Sequence, residues 1–184
     1  MMSDNKKSPF QIISQTEIYR NPWISLREDQ CVREDGGECI FGVTRVIDGI
    51  AVLAIDHNRD VHLVHEFKYA IQRRSIEVVC GGMDTSDPSP EFAAQRELKE
   101  ELGIIASKWS YHGAIDPFTS VIDSRVHLFV AEELQFGETN REETEDIEAV
   151  SYPFDEAYKL IEEGVITHAP TILLLQKIKI LNNL

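Results

Sequence analysis

Hydrophobic and polar positions in the first half of the chain follow the patterns expected of β-strands. Several stretches alternate or cluster β-branched and aromatic residues, and others are short, continuous apolar runs bounded by turn residues. EDGG at 34–37 is typical of a hairpin turn, and DHNRD at 56–60 is typical of another turn. The predicted strands are 11–20, 24–33, 40–47, 50–56 and 61–67. This half of the chain is therefore predicted to be rich in strands.

The second half alternates predicted strands with predicted helices. SIEVVCGG at 75–82 predicts a strand that ends on a glycine pair, and a helix is expected from Pro90 to Gly103 with Ser89 as its N-cap. The apolar residues of this helix that we expect to face the core are Phe92, Ala93, Leu98 and Leu102. The remaining predicted elements are strands at 108–116, 125–134 and 148–153 and helices at 153–163 and 170–181.

The sequence RELKEELG places acidic side chains on one face of the predicted helix after Ser89. Glu97, Glu100 and Glu101 project to the same side, because a helix has about 3.6 residues per turn. Each like-charged pair at this spacing destabilises an isolated helix by about 0.2–0.5 kcal/mol. A divalent cation offsets that cost, since Mg²⁺ and Mn²⁺ prefer oxygen ligands. A solvated acidic face is the alternative interpretation.

The segment GMDTSDPSPEFAAQRELKEELGI resembles the signature of the Nudix hydrolases, GX5EX7REUXEEXGU. The matching positions are Gly82, Arg96, Glu97, Leu98, Glu100, Glu101, Gly103 and Ile104. Pro88 stands where the signature has its first glutamate. In the family that glutamate mainly pairs with the motif arginine, so the resemblance implies that Asp87 or Glu91 holds Arg96 here.

Further segments are similar to elements of the ADP-ribose and nucleotide-sugar pyrophosphatases of this family: EFKYA, IEVVCGG, HLFVAEEL and the late EETEDIEAVSYP. The resemblance implies an α/β/α sandwich with a mixed sheet, preceded by an N-terminal antiparallel β-layer. We expect residues 1–47 to form that layer and residues 48–184 to form the catalytic domain. In this branch the layer commonly exchanges across a two-fold axis and completes the partner's substrate site, which implies a homodimer.

The resemblance also implies roles for the residues of the motif. Glu97 and Glu101 would be the principal ligands of Mg²⁺ or Mn²⁺, and Glu100 a further ligand or an outer partner. The backbone carbonyl near Gly81 would complete the site. Arg96 would brace the carboxylates rather than contact the substrate.

The remaining candidates for chemistry lie outside the helix. In this branch the general base is usually a glutamate on the late loop, which here offers Glu142, Glu143 and Glu145, and we predict Glu142 or Glu143. Candidate substrate-binding residues are charged side chains near the motif or aromatic rings able to stack on a nucleobase. They are Arg73, Arg74, Glu77 and Phe41, with Trp23 and Phe118 as further rings. Solvated arginines and packed aromatic rings are the alternative interpretation.

Composition and charge narrow the class of protein. The formal net charge of −14 disfavours nucleic acid as a partner, because phosphate backbones are bound through lysine and arginine. In 184 residues that are 42% hydrophobic, neither a long apolar run nor a secretory leader is apparent, so neither a membrane span nor secretion is expected. Three cysteines without CxxC spacing are predicted to be reduced and buried, which favours a cytoplasmic enzyme. The 6 histidines lack metal-binding spacing and are predicted to be structural.

The sequence thus predicts a Mg²⁺-dependent hydrolase that splits the pyrophosphate of a nucleoside diphosphate sugar or ADP-ribose into a nucleoside monophosphate and a sugar phosphate. One alternative is a housecleaning nucleoside triphosphate pyrophosphatase of the same fold, which the HLFVA and late-loop resemblances disfavour. The other is a non-catalytic Nudix-like sensor of nucleotide sugars. Intact Glu97, Glu100 and Glu101 disfavour a sensor, and Pro88 is the only motif feature that favours it.

Overall fold

The computed structural model describes residues 8–140 and 146–181, which form eleven strands, three helices and a 3₁₀ turn at Tyr69–Ile71. In this part of the chain, no helix combines the length and the apolar character needed to cross a lipid bilayer. The strands are β1 (Phe10–Arg20), β2 (Ile24–Arg33), β3 (Glu38–Val46), β4 (Gly49–Ile55), β5 (Asp60–Lys68), β6 (Arg73–Glu77), β7 (Val79–Gly82), β8 (Ile104–Ile115), β9 (Ile122–Asp123), β10 (Val126–Phe136) and β11 (Ile147–Pro153). The helices are α1 (Pro90–Leu102), α2 (Phe154–Glu162) and α3 (Ala169–Leu181).

The chain divides into two compact units. The first unit contains residues 1–47 and 116–124, and the second contains residues 48–115 and 125–184. The segment 116–124 lies in sequence within the expected catalytic domain, yet its strand β9 pairs in parallel with β3 of the first unit. A two-residue strand pairing with one far away in sequence leaves no local pattern, so residue periodicity could not reveal it.

The first unit is a sheet with strand order β1-β2-β3-β9, in which the β1–β2 and β2–β3 pairs are antiparallel and the β3–β9 pair is parallel. The predicted EDGG hairpin is confirmed, because the Gly36 amide donates to the Arg33 carbonyl at 3.0 Å and Gly36 has a φ of 83°. All eleven residues of β1 are exposed, including several apolar ones. This sheet therefore presents an open apolar strand at its edge.

The second unit is built on a mixed sheet with strand order β11-β5-β4-β10-β8, to which β6 and β7 add by pairing with β5 and β4. Strands β4 and β10 are parallel, and the other pairs are antiparallel. Helix α1 packs on one face of this sheet, and α2 and α3 pack on the other. The predicted α/β/α sandwich is confirmed.

Strand β4 shows why its sequence is apolar without alternation. Ile50 and Val52 pack in the core beneath α1, whereas Ala51 and Leu53 pack in the core beneath α2 and α3. These four side chains are at most 1% exposed. Because successive side chains of a strand point to opposite faces, a strand covered on both faces needs apolar residues at every position.

Two details of the predicted elements are wrong. The predicted strand at 75–82 is two strands, because the Val78 amide donates to the side chain of Thr171 at 2.9 Å at the junction where β6 leaves β5 and β7 joins β4. Phe92 is 48% exposed instead of facing the core, and Ala94 is buried. Residues of a helix are about 100° apart, so Phe92 lies on nearly the opposite side from Ala94.

The three cysteines are free thiols, as expected. Cys31 is buried, whereas Cys39 and Cys80 are half-buried rather than fully buried as predicted. Cys31 and Cys39 face each other across the β2–β3 pair, and Cys80 lies in β7.

Candidate active site

Local capping interactions fix both ends of α1, as predicted. The Ser89 hydroxyl accepts a hydrogen bond from the Phe92 amide at 3.2 Å, and Pro90 occupies the first turn. Gly103 ends the helix in the left-handed conformation, with a φ of 66°, and its amide donates to the Lys99 carbonyl at 2.9 Å. The acidic side chains of α1 are therefore carried by a helix that is held at both termini.

The carboxylate of Glu97 lies directly over the backbone of Gly81 in β7. A Cβ atom added at Gly81 would be 2.0 Å from Oε1 of Glu97, so this position requires glycine unless the glutamate moves. Gly81 is itself fixed by its pairing with Ile50 of β4. The structure thus brings the Glu97 carboxylate against Gly81, the residue near which we expected a carbonyl ligand of the same cation.

The other two acids of the motif differ in exposure. Glu101 is 4% exposed and lies in the buried face of α1. Glu100 is the more accessible of the two, with 34% of its side chain exposed. Burial of a carboxylate is unfavourable unless charge or hydrogen bonds compensate for the lost hydration. Glu101 thus lies on the side of α1 that faces the protein interior, whereas Glu100 lies towards solvent.

Arg96 connects the acids of the helix to the glycine turn. Its Nη1 donates to Oε1 of Glu97 at 2.9 Å and to Oε2 of Glu100 at 3.0 Å. Its Nη2 donates to the Gly82 carbonyl at 3.1 Å and to Oδ2 of Asp87 at 3.1 Å. Burial alone would lower the pKa of Arg96, but the hydrogen bond with Asp87 and the charge of Glu97 raise it above its ordinary value. The guanidinium is therefore a permanent positive brace.

Asp87 supplies the contact that Pro88 cannot make. Its carboxylate is almost fully buried, and it also accepts a hydrogen bond from the Asp84 amide at 2.8 Å. The hydrogen bond from Arg96 lowers the pKa of Asp87. Glu91, the other candidate, instead accepts a hydrogen bond from Gln95 at 3.4 Å. Of the two predicted partners of Arg96, Asp87 is the one observed.

The oxygen atoms of this cluster fit a hard divalent cation. Glu97 packs against Gly81, and the donors are carboxylates and a carbonyl, which Mg²⁺ and Mn²⁺ prefer. Within residues 8–140 and 146–181, no group of three acidic, histidine or cysteine side chains forms a ready-made cation cage. That finding is compatible with Mg²⁺, which is usually held by one or two carboxylates together with substrate phosphates.

A second polar cluster surrounds Glu77 and was not predicted. Glu77 is 5% exposed, and its Oε2 lies 3.7 Å from Nζ of Lys68 and 3.6 Å from Nε2 of His168. Lys68 also pairs with Glu66. The resemblance of EFKYA to a family element drew attention to β5 but assigned no role to Lys68. His168 precedes a helix far along the chain, and no sequence spacing connects it with Glu77.

The acids of both clusters influence Cys80. Burial is the main cause that raises the pKa of this thiol well above its ordinary value, and the charges of Glu77 and Glu101 raise it further. The raised pKa favours the neutral thiol over the thiolate at Cys80.

The two predicted substrate-binding arginines project from β6. Nη2 of Arg73 donates to the hydroxyl of Thr167 at 3.0 Å. Arg74 donates to the His65 carbonyl at 3.1 Å and pairs with Asp146. Both residues are exposed, so their contacts do not sequester their charge from a ligand.

The predicted general bases, Glu142 and Glu143, lie outside the described residues, as does Glu145. On one side of this segment the Asn140 amide donates to the Glu100 carbonyl at 2.9 Å. On the other side Asp146 pairs with Arg74. The last described residue before these glutamates is thus bonded to α1, and the first described residue after them is paired with β6.

The predicted aromatic residues Phe41, Trp23 and Phe118 belong to the first unit. Phe41 is 37% exposed and packs edge-on against Phe10, with ring centroids 4.9 Å apart. Trp23 and Phe118 are 67% and 57% exposed. All three rings therefore retain accessible surface.

A sequence match that covers most of the second unit decides the family. Residues 47–175 match the NUDIX domain. The chain belongs to the Nudix family. Residues 10–44 match the nucleoside diphosphate sugar hydrolase N-terminal domain, a region that contains most of the three long strands of the first unit. Members of the Nudix pyrophosphatase group generally depend on a divalent metal, and this Nudix chain is a pyrophosphatase of the hydrolase class.

Similar proteins are known from both sequence and structure. An ADP-ribose pyrophosphatase of Mycobacterium tuberculosis (strain ATCC 25618 / H37Rv) is 29% identical over 167 residues, which cover 89% of this chain and 80% of that protein. A GDP-mannose pyrophosphatase of Cronobacter sakazakii (strain ATCC BAA-894) is 31% identical, over 80% of this chain and 83% of that protein. A crystal structure of an ADP compounds hydrolase superposes with a TM-score of 0.82 at 19% identity, over 97% of each chain, and so shares the fold.

Proposed function

We propose that this Nudix hydrolase uses Mg²⁺, or alternatively Mn²⁺, to cleave the pyrophosphate of ADP-ribose or a nucleoside diphosphate sugar into a nucleoside monophosphate and a sugar phosphate. The observation that carries the proposal is the Glu97 carboxylate packed on Gly81 and braced by Arg96. The relatives named ADP-ribose pyrophosphatase and GDP-mannose pyrophosphatase support this substrate class. The match of residues 10–44 to the nucleoside diphosphate sugar hydrolase N-terminal domain supports it as well.

In this proposal Glu97, Glu101 and the carbonyl of Gly81 would hold the cation, with Glu100 in support. A divalent cation in that place would neutralise the pyrophosphate oxygens, orient them and make a water more acidic. Arg96 keeps Glu97 and Glu100 in position and stays charged throughout, because its contacts stabilise the guanidinium.

The general base of the proposed reaction is Glu142 or Glu143, which accepts a proton from the attacking water. Support comes from the described residues on either side of these glutamates. Asn140 is bonded to the backbone of α1, and Asp146 is paired with Arg74 of β6.

We assign substrate binding to Arg73, Arg74, Glu77 and Phe41. The exposed guanidinium groups are suited to phosphate oxygens, which arginine binds through paired N–H donors. Glu77 offers a buried carboxylate as an acceptor for a sugar hydroxyl, and the accessible ring of Phe41 offers a stacking surface for a base. The net charge of −14 supports a small-molecule substrate rather than nucleic acid.

We also propose that the enzyme is a cytoplasmic homodimer formed through the first unit. The exposed apolar side chains of β1 support this arrangement, with Ile12 and Ile18 at 54% and 57% exposure. The free thiols support a reducing compartment. Light scattering of the unmodified protein should give twice the mass of one chain. The double variant Ile12→Asp with Ile18→Asp should shift the mass towards one chain, and a single-chain mass for the unmodified protein rules out the dimer.

A substrate panel tests the activity directly. ADP-ribose, several nucleotide sugars and several nucleoside triphosphates are incubated with Mg²⁺, and the products are identified by chromatography. The unmodified protein should release a nucleoside monophosphate from the sugar-linked compounds. Glu101→Gln should lower kcat/KM by at least about 100-fold. Glu91→Gln is the matched control, because Glu91 is an exposed acid on the same helix that does not contact Arg96.

The outcomes of the panel separate the competing functions. Turnover of triphosphates alone would replace the proposal by a triphosphate pyrophosphatase. Binding of nucleotide sugars without turnover of any compound would make the protein a sensor. Undiminished turnover by Glu101→Gln would contradict the cation assignment while leaving the activity in place.

A further inference from the structure

Glu77 lies where three elements of the second unit meet. It is the last residue of β6, Lys68 is the last residue of β5, and His168 immediately precedes α3. Both basic side chains approach the same oxygen, because Oε2 of Glu77 lies 3.7 Å from Nζ of Lys68 and 3.6 Å from Nε2 of His168. Lys68 also pairs with Glu66. For His168, by contrast, Glu77 is the only acidic contact in the described residues.

The other side of the His168 ring contacts a completely buried threonine. Thr171 is 0% exposed, and its Oγ1 lies 2.9 Å from Nδ1 of His168. The same Oγ1 accepts a hydrogen bond from the Val78 amide at 2.9 Å. An amide nitrogen only donates, so Thr171 uses a lone pair for Val78 and keeps its own proton for another acceptor. Nδ1 of His168 is positioned to be that acceptor.

The contacts on the two sides of the ring favour one tautomer. Burial lowers the pKa of His168, even though the charge of Glu77 acts in the opposite direction, so the ring is neutral at neutral pH. A neutral imidazole that accepts at Nδ1 carries its proton on Nε2. That N–H then faces the Glu77 carboxylate. At 3.6 Å the contact is longer than a hydrogen bond and acts through the N–H dipole.

The segment before α3 is attached to β6 at further points. Nη2 of Arg73 donates to the Thr167 hydroxyl at 3.0 Å, at the opposite end of β6 from Glu77. The Ile172 amide donates to the His168 carbonyl at 3.0 Å, which fixes His168 at the start of the helix. The Val78 contact lies between Glu77 and Gly81 in the chain. The start of α3 therefore sets the position of the junction between β6 and β7, which carries Glu77 and Gly81.

We propose that His168 is a positioning residue of the active site, which orients the carboxylate of Glu77 for the sugar portion of the substrate through the contact series Val78, Thr171, His168 and Glu77. Its consequence for turnover rests on the proposed function. The tautomer of His168 does not depend on that function, so the two ideas can fail separately.

The first test measures the tautomer. The full-length protein is labelled with ¹⁵N-histidine, and two-bond ¹H–¹⁵N correlation spectra distinguish the two ring nitrogens at neutral pH. The signals of His168 are those that disappear in His168→Gln. We expect a neutral ring with its proton on Nε2. A proton on Nδ1, or a doubly protonated ring, overturns the inference whatever the enzyme hydrolyses.

The second test is a double-mutant cycle on the substrate that the panel identifies. His168→Ala and Glu77→Gln should each raise KM by about tenfold with a smaller change in kcat, because both disturb the same contact. The double variant should be no worse than Glu77→Gln alone. Multiplied effects in the double variant would mean that His168 acts independently of Glu77, and they overturn the inference.

Conservative replacement separates positioning from general stability. The side-chain amide of His168→Gln can place an N–H donor near the position of Nε2, so this variant should recover most of the KM lost in His168→Ala. His57→Gln is the matched control, because His57 is an exposed histidine in the β4–β5 turn. Equal KM defects in the Ala and Gln variants of His168 contradict the role of the N–H. If the unmodified protein hydrolyses nothing, the proposed function fails, and the tautomer measurement alone then decides whether the inference about His168 stands.

Discussion

The two units of the chain bury their apolar residues to very different extents. In the second unit both faces of the sheet are covered, and Val52 and Leu53 of β4 are 0% exposed. In the first unit β1 is exposed along its whole length. Among the described residues of the first unit, only Asp29, Cys31 and Ser124 are buried. One unit contains its own core, whereas the other leaves most of its apolar side chains accessible.

Because of this difference, we expect the second unit to govern stability and the first unit to govern association. Burial of apolar surface contributes about 25 cal/mol per Å², so the free energy of unfolding should depend mainly on the second unit. An exposed edge strand with apolar side chains is a ready template for association. We therefore expect substitutions in the core of the second unit to change unfolding and catalysis, and substitutions in β1 to change the oligomeric state.

The largest expected effect contrasts a buried apolar residue of the second unit with an exposed apolar residue of the first. Leu98→Ala removes a side chain that is 0% exposed beneath α1, so it should lower the free energy of unfolding by about 3 kcal/mol. Ile18→Ala removes a side chain that is 57% exposed, and the change should stay below about 0.5 kcal/mol at low protein concentration. Urea denaturation followed by circular dichroism measures both. Equal losses would contradict the contrast between the units.

A methyl group added at a glycine should lower activity in the second unit but not in the first. Gly81→Ala places a methyl group 2.0 Å from the present position of the Glu97 carboxylate, which must move. We expect kcat/KM to fall by about 100-fold, because the displaced acid is a proposed cation ligand. Gly37→Ala is a matched control in the first unit, where the added atom meets the flexible end of Arg33 at 2.2 Å. Steady-state assays with Mg²⁺ compare the two, and similar activities would remove the special status of Gly81.

The smallest of the three effects concerns ion pairs and pH. The folded-state pKa of Asp87 is lowered by Arg96, so its stabilising contribution is present above the unfolded value of about 3.9 and is lost as the pH falls through the folded value. Asp87→Asn should cost about 2 kcal/mol at neutral pH, and its difference from the unmodified protein should shrink in acid. Chemical denaturation across pH 2–7 measures this.

The control for Asp87 is an exposed ion pair in the first unit. Asp35 lies 3.2 Å from Arg33, with 67% of its side chain exposed. Asp35→Asn should change stability by less than about 1 kcal/mol at any pH, because an exposed pair is screened by solvent. A loss at Asp35 as large as that at Asp87 would show that burial of the Asp87 carboxylate is not the cause of its effect.

Helix α1 illustrates what sequence reasoning recovers well. Ser89, Pro90 and Gly103 act on neighbouring backbone groups, so the start and end of the helix are readable from a few adjacent residues. Arg96 is also close in sequence to its partner, so the sequence narrowed the possible partners to two acids near Pro88. Deciding between Asp87 and Glu91 required the turn geometry that directs Asp87 to the guanidinium.

Other features depend on contacts between distant segments and were not recoverable. The break between β6 and β7 depends on Thr171, which is 93 residues away from Val78. Glu77 was a candidate from its place in a strand, but its neighbours Lys68 and His168 come from two other elements. No local pattern encodes such a meeting, because each residue has an ordinary structural role within its own segment.

By itself the sequence determined the family and the acidic face of α1, since caps and motif spacing are local properties of the chain, and the resemblance to that family implied the α/β/α architecture. Tertiary structure alone decided that the Glu97 carboxylate lies over Gly81, that Asp87 replaces the missing motif glutamate, and that β1 remains exposed. Those outcomes depend on how the strands pair and how the helices pack across the sheet. Such long-range contacts form only when the whole fold is assembled.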